Sequence, residues 1–278
     1  EEKLPKVKLL HEKIVESVAE IDDSLTERFL MEEPIELHEI KDSLRMGIKT
    51  GQLVPMICVS SQKDVGIHSL LRIIAEYMPS VADNRQPFGE DKEKFEIQER
   101  RVARDEQLSA IIFKTDIDPF VGKISVLKVV TGKINSGDEI YNERAGKMEK
   151  LGKLFFLRGK SQQELNYAEA GDIVAVAKLQ YTLSGDTLCD KNDIVRYLPL
   201  DYPQPVYYVA IEAADKNDEE KMGTGLNKLR EEDPSFVVER NVETHQTLIG
   251  GQGEIQLAIL TQKLKEKFGV DVTLSTQK

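Results

Sequence analysis

The chain has 278 residues, of which 40% are hydrophobic and 31% charged, with no Trp and a net charge of −11. That length suits about two to three domains, and no apolar run is long enough to span a bilayer. The acidic balance argues against bulk, charge-driven attraction to nucleic acid or anionic membranes, though not against a local basic patch.

The chain opens on Glu1-Glu2, without Met, in what already reads as a helix, so a piece of a longer protein is expected. Leu10, Ile14, Val18, Ile21, Leu25 and Phe29 recur at helical spacing and predict one long helix over 7–30. Pro34 interrupts it, and Ile35 to Met46 predict a second, shorter helix ending at Gly47. The run LVPMICVSS (53–61) suits a strand buried on both faces of a parallel sheet, which would make Cys58 an inert core thiol. Ile67, Leu70, Leu71, Ile74 and Met78 then form a helical stripe stopped by Pro79. No signal peptide is visible, and with Cys58 and Cys189 far apart a reduced, cytoplasmic protein is expected.

Residues 80–107 are polar and charged, with Pro87, Gly89 and the basic run from Arg100 to Arg104, and read as a linker. From Ser109 to about Pro199, short apolar runs alternate with turn clusters such as Asn135-Ser136-Gly137-Asp138 and Ser184-Gly185-Asp186. That pattern predicts a β-barrel or sandwich. Residues 205–275 change period again. PVYYVAIEA predicts a strand, and Asn217 with Glu220 suggests the start of a helix whose buried face is Met222, Leu226 and Leu229. SFVVER and HQTLIGG predict two strands, Leu257, Leu260, Leu264 and Phe268 a helix closed by Gly269, and VDVTL a last strand. The order is that of a split βαβ unit.

Gly159-Lys160-Ser161 invites a phosphate-loop reading, which needs G-x-x-x-x-G-K-[ST] between a strand and a helix. Leu154 stands where the first glycine belongs, Phe155, Phe156 and Leu157 suit a strand, and polar residues follow. The triplet therefore reads as a strand-end turn. No D-x-x-G occurs, and NKLR (227–230) ends in Arg where a guanine-reading carboxylate should stand. His11, His38, His68 and His245 show no metal-ligand spacing. No nucleophile–base arrangement stands out, so neither a catalytic residue nor a metal ligand is assigned. GGQG (250–253) suggests an anion site only weakly, a tight strand-to-helix connection being the simpler reading. Tyr207 and Tyr208 are expected to be one core and one surface residue, since no base-stacking pattern accompanies them. Lys123, Lys128, Lys133, Lys147, Lys150 and Lys153 form either a basic face or a scattered solvated set.

Four long blocks, VPMICVSSQKDVGIHSLL (54–71), DPFVGKISVLKVVTGKINSGDEIYN (118–142), AGDIVAVAKLQYTLSGDTLCD (170–190) and EKMGTGLNKLREEDPSFVVERNVETHQTLIGGQGEIQLAIL (220–260), resemble bacterial elongation factor G, a translational GTPase. The resemblance covers essentially the whole chain and implies a multi-domain α/β, all-β and α+β fold. Residues 1–50 resemble the end of the helical subdomain inserted in the GTPase domain, and 51–80 the last strand and helix of that P-loop-type domain. Residues 81–100 would be a linker, 101–200 the translation-factor β-barrel (domain II), and 201–278 the ferredoxin-like βαββαβ domain III. Ser60, Ser61 and Gln62 match the loop whose backbone helps read guanine, with Ser61 where the family has Ala.

The resemblance implies GTP or GDP with Mg²⁺ in the intact parent and none in this chain. It implies a monomer that meets the ribosome, through small-subunit rRNA and ribosomal proteins, and no membrane. It implies translocation of tRNA and mRNA, or ribosome recycling. The alternative is a tetracycline-resistance-type ribosomal protection protein or a non-catalytic ribosome-binding module on the same scaffold. Gln252 and Gln256 stand where the family usually carries Met and His, which leaves the subfamily open. Gly223 and Gly225, odd inside a helix, mark either close packing or the approach of the GTPase switch region that the family's third domain touches.

Overall fold

The structure is a computed structural model describing residues 4–83, 85–89, 97–118, 121–159, 161–198 and 200–277, with the backbone alone for 85–89 and 97–101. The chain divides into two compact units, 1–84 and 85–278.

The first unit is helical: α1 (Leu4–Ala19), α2 (Asp23–Leu30), α3 (Leu37–Thr50) and α4 (Ile67–Tyr77). The long helix expected over 7–30 is two, because the Asp22 side chain accepts the N–H groups of Ser24 and Leu25 and starts a new helix. The helix expected to end at Gly47 runs to Thr50 and is closed by Gly51 at φ 77°. Gly47 serves packing instead. A Cβ there would lie 2.7 Å from Leu53 Cδ1, so its bareness lets the chain fold back after α3. Ser43 Oγ donates to the Val18 carbonyl, joining α3 to α1. Lys49 together with the hydroxyl and N–H of Ser80 draws the Asp83 carboxyl down to about 2.

Residues 53–59 are the main departure in this unit. The expected buried strand forms no ladder there; Val54 is 86% and Met56 95% exposed, and Cys58 is exposed rather than a core thiol. A strand needs a neighbour to satisfy its backbone, and among the described residues none pairs with this run beyond the Ser60–Val65 bridge. Helix α4 likewise buries no residue fully, and Leu71 and Ile74 stay exposed.

The second unit begins with β1 (Arg85–Gly89) and β2 (Ile97–Arg101), which pair with each other inside the stretch read as a linker. Then come β3 (Ser109–Asp118), β4 (Gly122–Thr131), β5 (Lys133–Asn135), β6 (Glu139–Asn142), β7 (Lys147–Lys150) and β8 (Leu154–Arg158). They are followed by β9 (Ser161–Leu165), β10 (Tyr167–Glu169), β11 (Ile173–Ala177), β12 (Thr187–Cys189) and β13 (Arg196–Tyr197). Strand β1 also pairs with β13, a long-range partner, which is why a polar stretch becomes a sheet.

Eight strands run in the order β7-β6-β12-β3-β4-β11-β8-β9, with β5 and β10 as a separate ribbon. Ile140 on β6, Leu127 on β4, Leu154 on β8 and Ile134 on the ribbon share one core, so the sheet wraps into the expected antiparallel barrel. A second cluster, Val102, Val130, Cys189, Val195 and Tyr197, seals the barrel on the side of β13. Burial pushes the Cys189 thiol above its ordinary range, consistent with an inert core cysteine.

The third part contains β14 (Tyr207–Ala213), α5 (Glu219–Glu232), β15 (Val237–Arg240), β16 (Thr247–Gly251), α6 (Glu254–Phe268) and β17 (Val272–Ser275). The antiparallel order β15-β16-β14-β17 is that of a ferredoxin-like unit. Both helices bury the predicted stripes, Met222, Leu226 and Leu229 on α5 and Leu257, Leu260 and Leu264 on α6, with Phe236 in the same core. The residue capping the entry to α5 is Asp215 rather than Asn217, its carboxylate accepting the Asn217 N–H ahead of a short 3₁₀ turn.

The two odd glycines of α5 separate. A Cβ at Gly225 would sit 3.2 Å from the Phe268 ring, so close packing of α5 on α6 explains it, whereas a Cβ at Gly223 would meet nothing within 4 Å. Gly223→Ala is therefore expected to stabilise the domain by about 1 kcal/mol, the usual helix-interior difference. Gly225→Ala is expected to bring no gain because the ring must move. Urea midpoints followed by far-UV circular dichroism check both.

Candidate functional site

The loop matched to guanine reading folds tightly. Ser60 and Val65 exchange backbone hydrogen bonds at 2.9 and 3.0 Å, and the Ser61 carbonyl accepts the Asp64 N–H at 3.4 Å. Asp64 has φ 51° and Gly66 φ 77°, and a Cβ at Gly66 would lie 2.8 Å from the Cys58 carbonyl, so only glycine lets α4 start there. Ser61 and Gln62 are exposed, and Ser60 is half-buried. The turn thus stands directly before a helix, as a βα loop should, but among the described residues no sheet stands behind it.

The other nucleotide-like sequence is resolved by topology. Arg158 pairs with Ser161 across the β8–β9 hairpin, and Gly159 takes φ 59° to make the turn. Lys160 itself lies outside the described residues. A hairpin turn between two strands has no helix N-terminus to receive a phosphate. This hairpin therefore lacks the strand–turn–helix geometry of a phosphate loop. Among the described residues there is also no cluster of three or more His, Cys, Asp or Glu that would hold a metal ion.

The barrel carries a more developed feature that sequence reading missed. Glu149 on β7 is buried, and its carboxylate accepts the N–H groups of Gln180 and Tyr181 and the Thr182 hydroxyl. Asp186 is buried beside it and accepts Arg144 Nε and Nη2, Asn142 Nδ2 and the Leu183 N–H. The Asp186 hydrogen bond and charge raise the Arg144 guanidinium above its ordinary value despite partial burial. Together these two carboxylates pin the 178–186 loop, which holds Tyr181 under the Lys147 ammonium, 4.1 Å from the ring centre. Lys133 stands over Tyr167 in the same way at 3.8 Å. The Ser-Gly-Asp turn at 184–186 was the only sequence signal, and it pointed to a turn rather than a network.

The six lysines, read as either a basic face or a scattered solvated set, are therefore not equivalent. Lys133 and Lys147 cap exposed tyrosines; Lys153 pairs with Glu164, and Lys123 pairs with Glu231 of the third part. In the third part, strand alternation sends Tyr207 to the helix-packed core and Tyr208 to the other side, over Gly250.

One donor of the GGQG turn is also engaged. Gln256 Oε1 accepts the Gln252 N–H at 2.7 Å while its Nε2 donates to Asp233 and Ser235. Burial opposes the Asp233 charge, yet the hydrogen bonds from Ser235 and Gln256 hold its carboxyl below the usual value. A Cβ at Gly251 would lie 2.7 Å from Gln256 Oε1, so the glycine makes room for this glutamine.

An antiparallel barrel followed by a ferredoxin-like split βαβ unit defines a class, the translational GTPases. Residues 107–191 match elongation factor G domain 2, and residues 202–276 match Elongation Factor G, domain III. The chain belongs to the elongation factor G family. It is also similar along 100% of its length to a solved protein described as ttk003000868 from Thermus thermophilus, at 29% identity and a TM-score of 0.81. It spans 39% of the length of that protein. Among the described residues no helix is long and apolar enough to cross a membrane.

Proposed function

We propose that this chain is the interior of an elongation factor G type GTPase that drives tRNA and mRNA through the ribosome in the cytoplasm. The tandem of domains II and III in this order carries the reading. The first unit would complete a GTP-binding domain: an apolar run that no strand pairs with among the described residues, and the exposed Leu71 and Ile74 on α4, are the surfaces such a domain would cover. Ser60, Ser61 and Gln62 would then contribute backbone contacts to guanine, while the phosphates and Mg²⁺ would be held by residues outside this chain. The open surface at Gly223 on α5 fits the approach of a switch segment.

The barrel would dock on small-subunit RNA through the loop bearing Tyr181. Lysine–tyrosine pairs suit a phosphate backbone, since the ammonium is held without being neutralised by a carboxylate. Sedimentation of this chain with isolated small ribosomal subunits at low salt tests the reading. Saturable binding is expected, weakened roughly tenfold by Lys147→Glu with Tyr181→Ala and lost steeply as salt rises. Failure to pellet, or pelleting indifferent to both changes, contradicts it.

A further inference from the structure

The barrel and the third part touch through charges, not through a shared apolar core. Among the described residues, every apolar cluster lies wholly within one or the other. Lys267, near the end of α6, donates to the Ile117 carbonyl at 2.8 Å and to Asp116 Oδ1 at 3.2 Å, both on β3. Its remaining proton goes to Glu232 Oε2 at 2.6 Å, at the end of α5. One residue away on α5, Glu231 meets Lys123 of β4 at 2.6 Å. Lys123 lies opposite Ile117 in the β3–β4 register, so both attachments use the same end of one hairpin.

The charges are crossed. The barrel contributes one acid and one base, Asp116 and Lys123, and the third part contributes the complementary Lys267 and Glu231. Such a pattern fixes the register, because sliding one element along the other opposes like charges. Glu232 is 10% exposed and also holds Lys263, which orients it toward Lys267. Burial works against the Lys267 charge, but the hydrogen bond and charge of Glu232, with those of Asp116, raise the ammonium above its ordinary value. A cleft of about 440 Å³ between the two parts, lined in part by Gly122, Gln180, Lys228 and Phe268, leaves the seam open to water and ions.

We propose that the β3–β4 hairpin and the α5–α6 pair form a salt-sensitive latch, with Lys267 as its hub, that holds the barrel and the third domain at one fixed angle. Each domain has its own core, so releasing the latch frees the angle without unfolding either one. The latch does not depend on what the parent protein binds. Its place between two domains makes it the joint through which a change at one would reach the other.

Distance measurement between spin labels at Gln163→Cys and Lys216→Cys, in a chain carrying Cys58→Ser, tests the proposal. At about 50 mM NaCl one narrow distribution is expected. Lys267→Met, or about 1 M NaCl, where the screening length falls to roughly 3 Å, is expected to broaden it about twofold. Lys123→Glu and Glu231→Lys should each broaden it, and the two together should restore the narrow form. Unchanged far-UV circular dichroism separates release from unfolding. A distribution that stays narrow with Lys267→Met, or a charge swap no narrower than its single variants, overturns the latch.

Discussion

Asp186→Ala is expected to destabilise the barrel by about 3 kcal/mol, from the buried donors left without an acceptor. Asp186 is 4% exposed, and its two oxygens take four hydrogen bonds: from Arg144 Nε and Nη2, from Asn142 Nδ2 at 3.0 Å and from the Leu183 N–H at 2.8 Å. Arg144 is partly exposed and can turn to water, which discounts its share. Asn142 is fully buried; its amide nitrogen keeps only the Thr182 hydroxyl at 3.0 Å. The Leu183 N–H loses its acceptor as well. Of the two carboxylates only Glu149 then holds the loop, and the stacking of Lys147 on Tyr181 loosens with it. Hydrogen exchange reports this locally: amides of β6, β7 and β12 should lose protection while those of α5 and α6 keep it. Unchanged protection in the barrel would remove the two-carboxylate network from the account.

Gly250→Val is expected to cost the third domain about 3 kcal/mol, at the upper end of what overpacking usually does. Gly250 lies on β16, inside the sheet, opposite Tyr208 on β14 and Val237 on β15. A Cβ at this position would fall 2.4 Å from Tyr208 Cε1 and 2.8 Å from Cδ1, so the ring must leave its place over the strand. The strand cannot yield instead, because it is hydrogen-bonded on both sides. A second substitution separates this cause from a general loss of fold. Tyr208→Ala removes the obstruction, so the double variant should be more stable than Gly250→Val alone. Urea denaturation of the four proteins in the cycle measures it, and a double variant as weak as the sum of the singles contradicts the assignment.

What could be read from the sequence was what depends on neighbours close along the chain. The stripes of α5 and α6 obey the helical period and bury as expected, and alternation with turn clusters marks the barrel strands. The family blocks implied a translation-factor barrel followed by a split βαβ unit, which the fold bears out. Three kinds of feature were not legible. Helix limits depended on which side chain wins a cap, as Asp22 does inside the long apolar stripe and Asp215 does ahead of Asn217.

Partners far apart in sequence were the second kind. The stretch read as a linker is paired because Arg196–Tyr197 returns to it, while the apolar run at 53–59 finds no strand partner among the described residues. The third was the division of charge at the surface. Six lysines looked alike in the sequence, yet one closes the joint to the third domain, one pairs within a hairpin and two sit on tyrosines. Nothing in local composition distinguishes these outcomes; they follow from which carboxylates and rings the topology delivers. The glycine-rich turn before α6 shows the same limit, since a glutamine one turn into the helix takes the donor that a bound anion would have used.

The central claim is that this chain carries the ribosome-facing modules of a translational GTPase without the pocket that holds the nucleotide. Calorimetric titration of GTP and of GDP with Mg²⁺, up to about millimolar nucleotide, tests it most directly, because family members that hold the nucleotide do so through phosphate-binding groups absent from this sequence. The account predicts heats of dilution and nothing more for both nucleotides. A saturable isotherm with either one would contradict it.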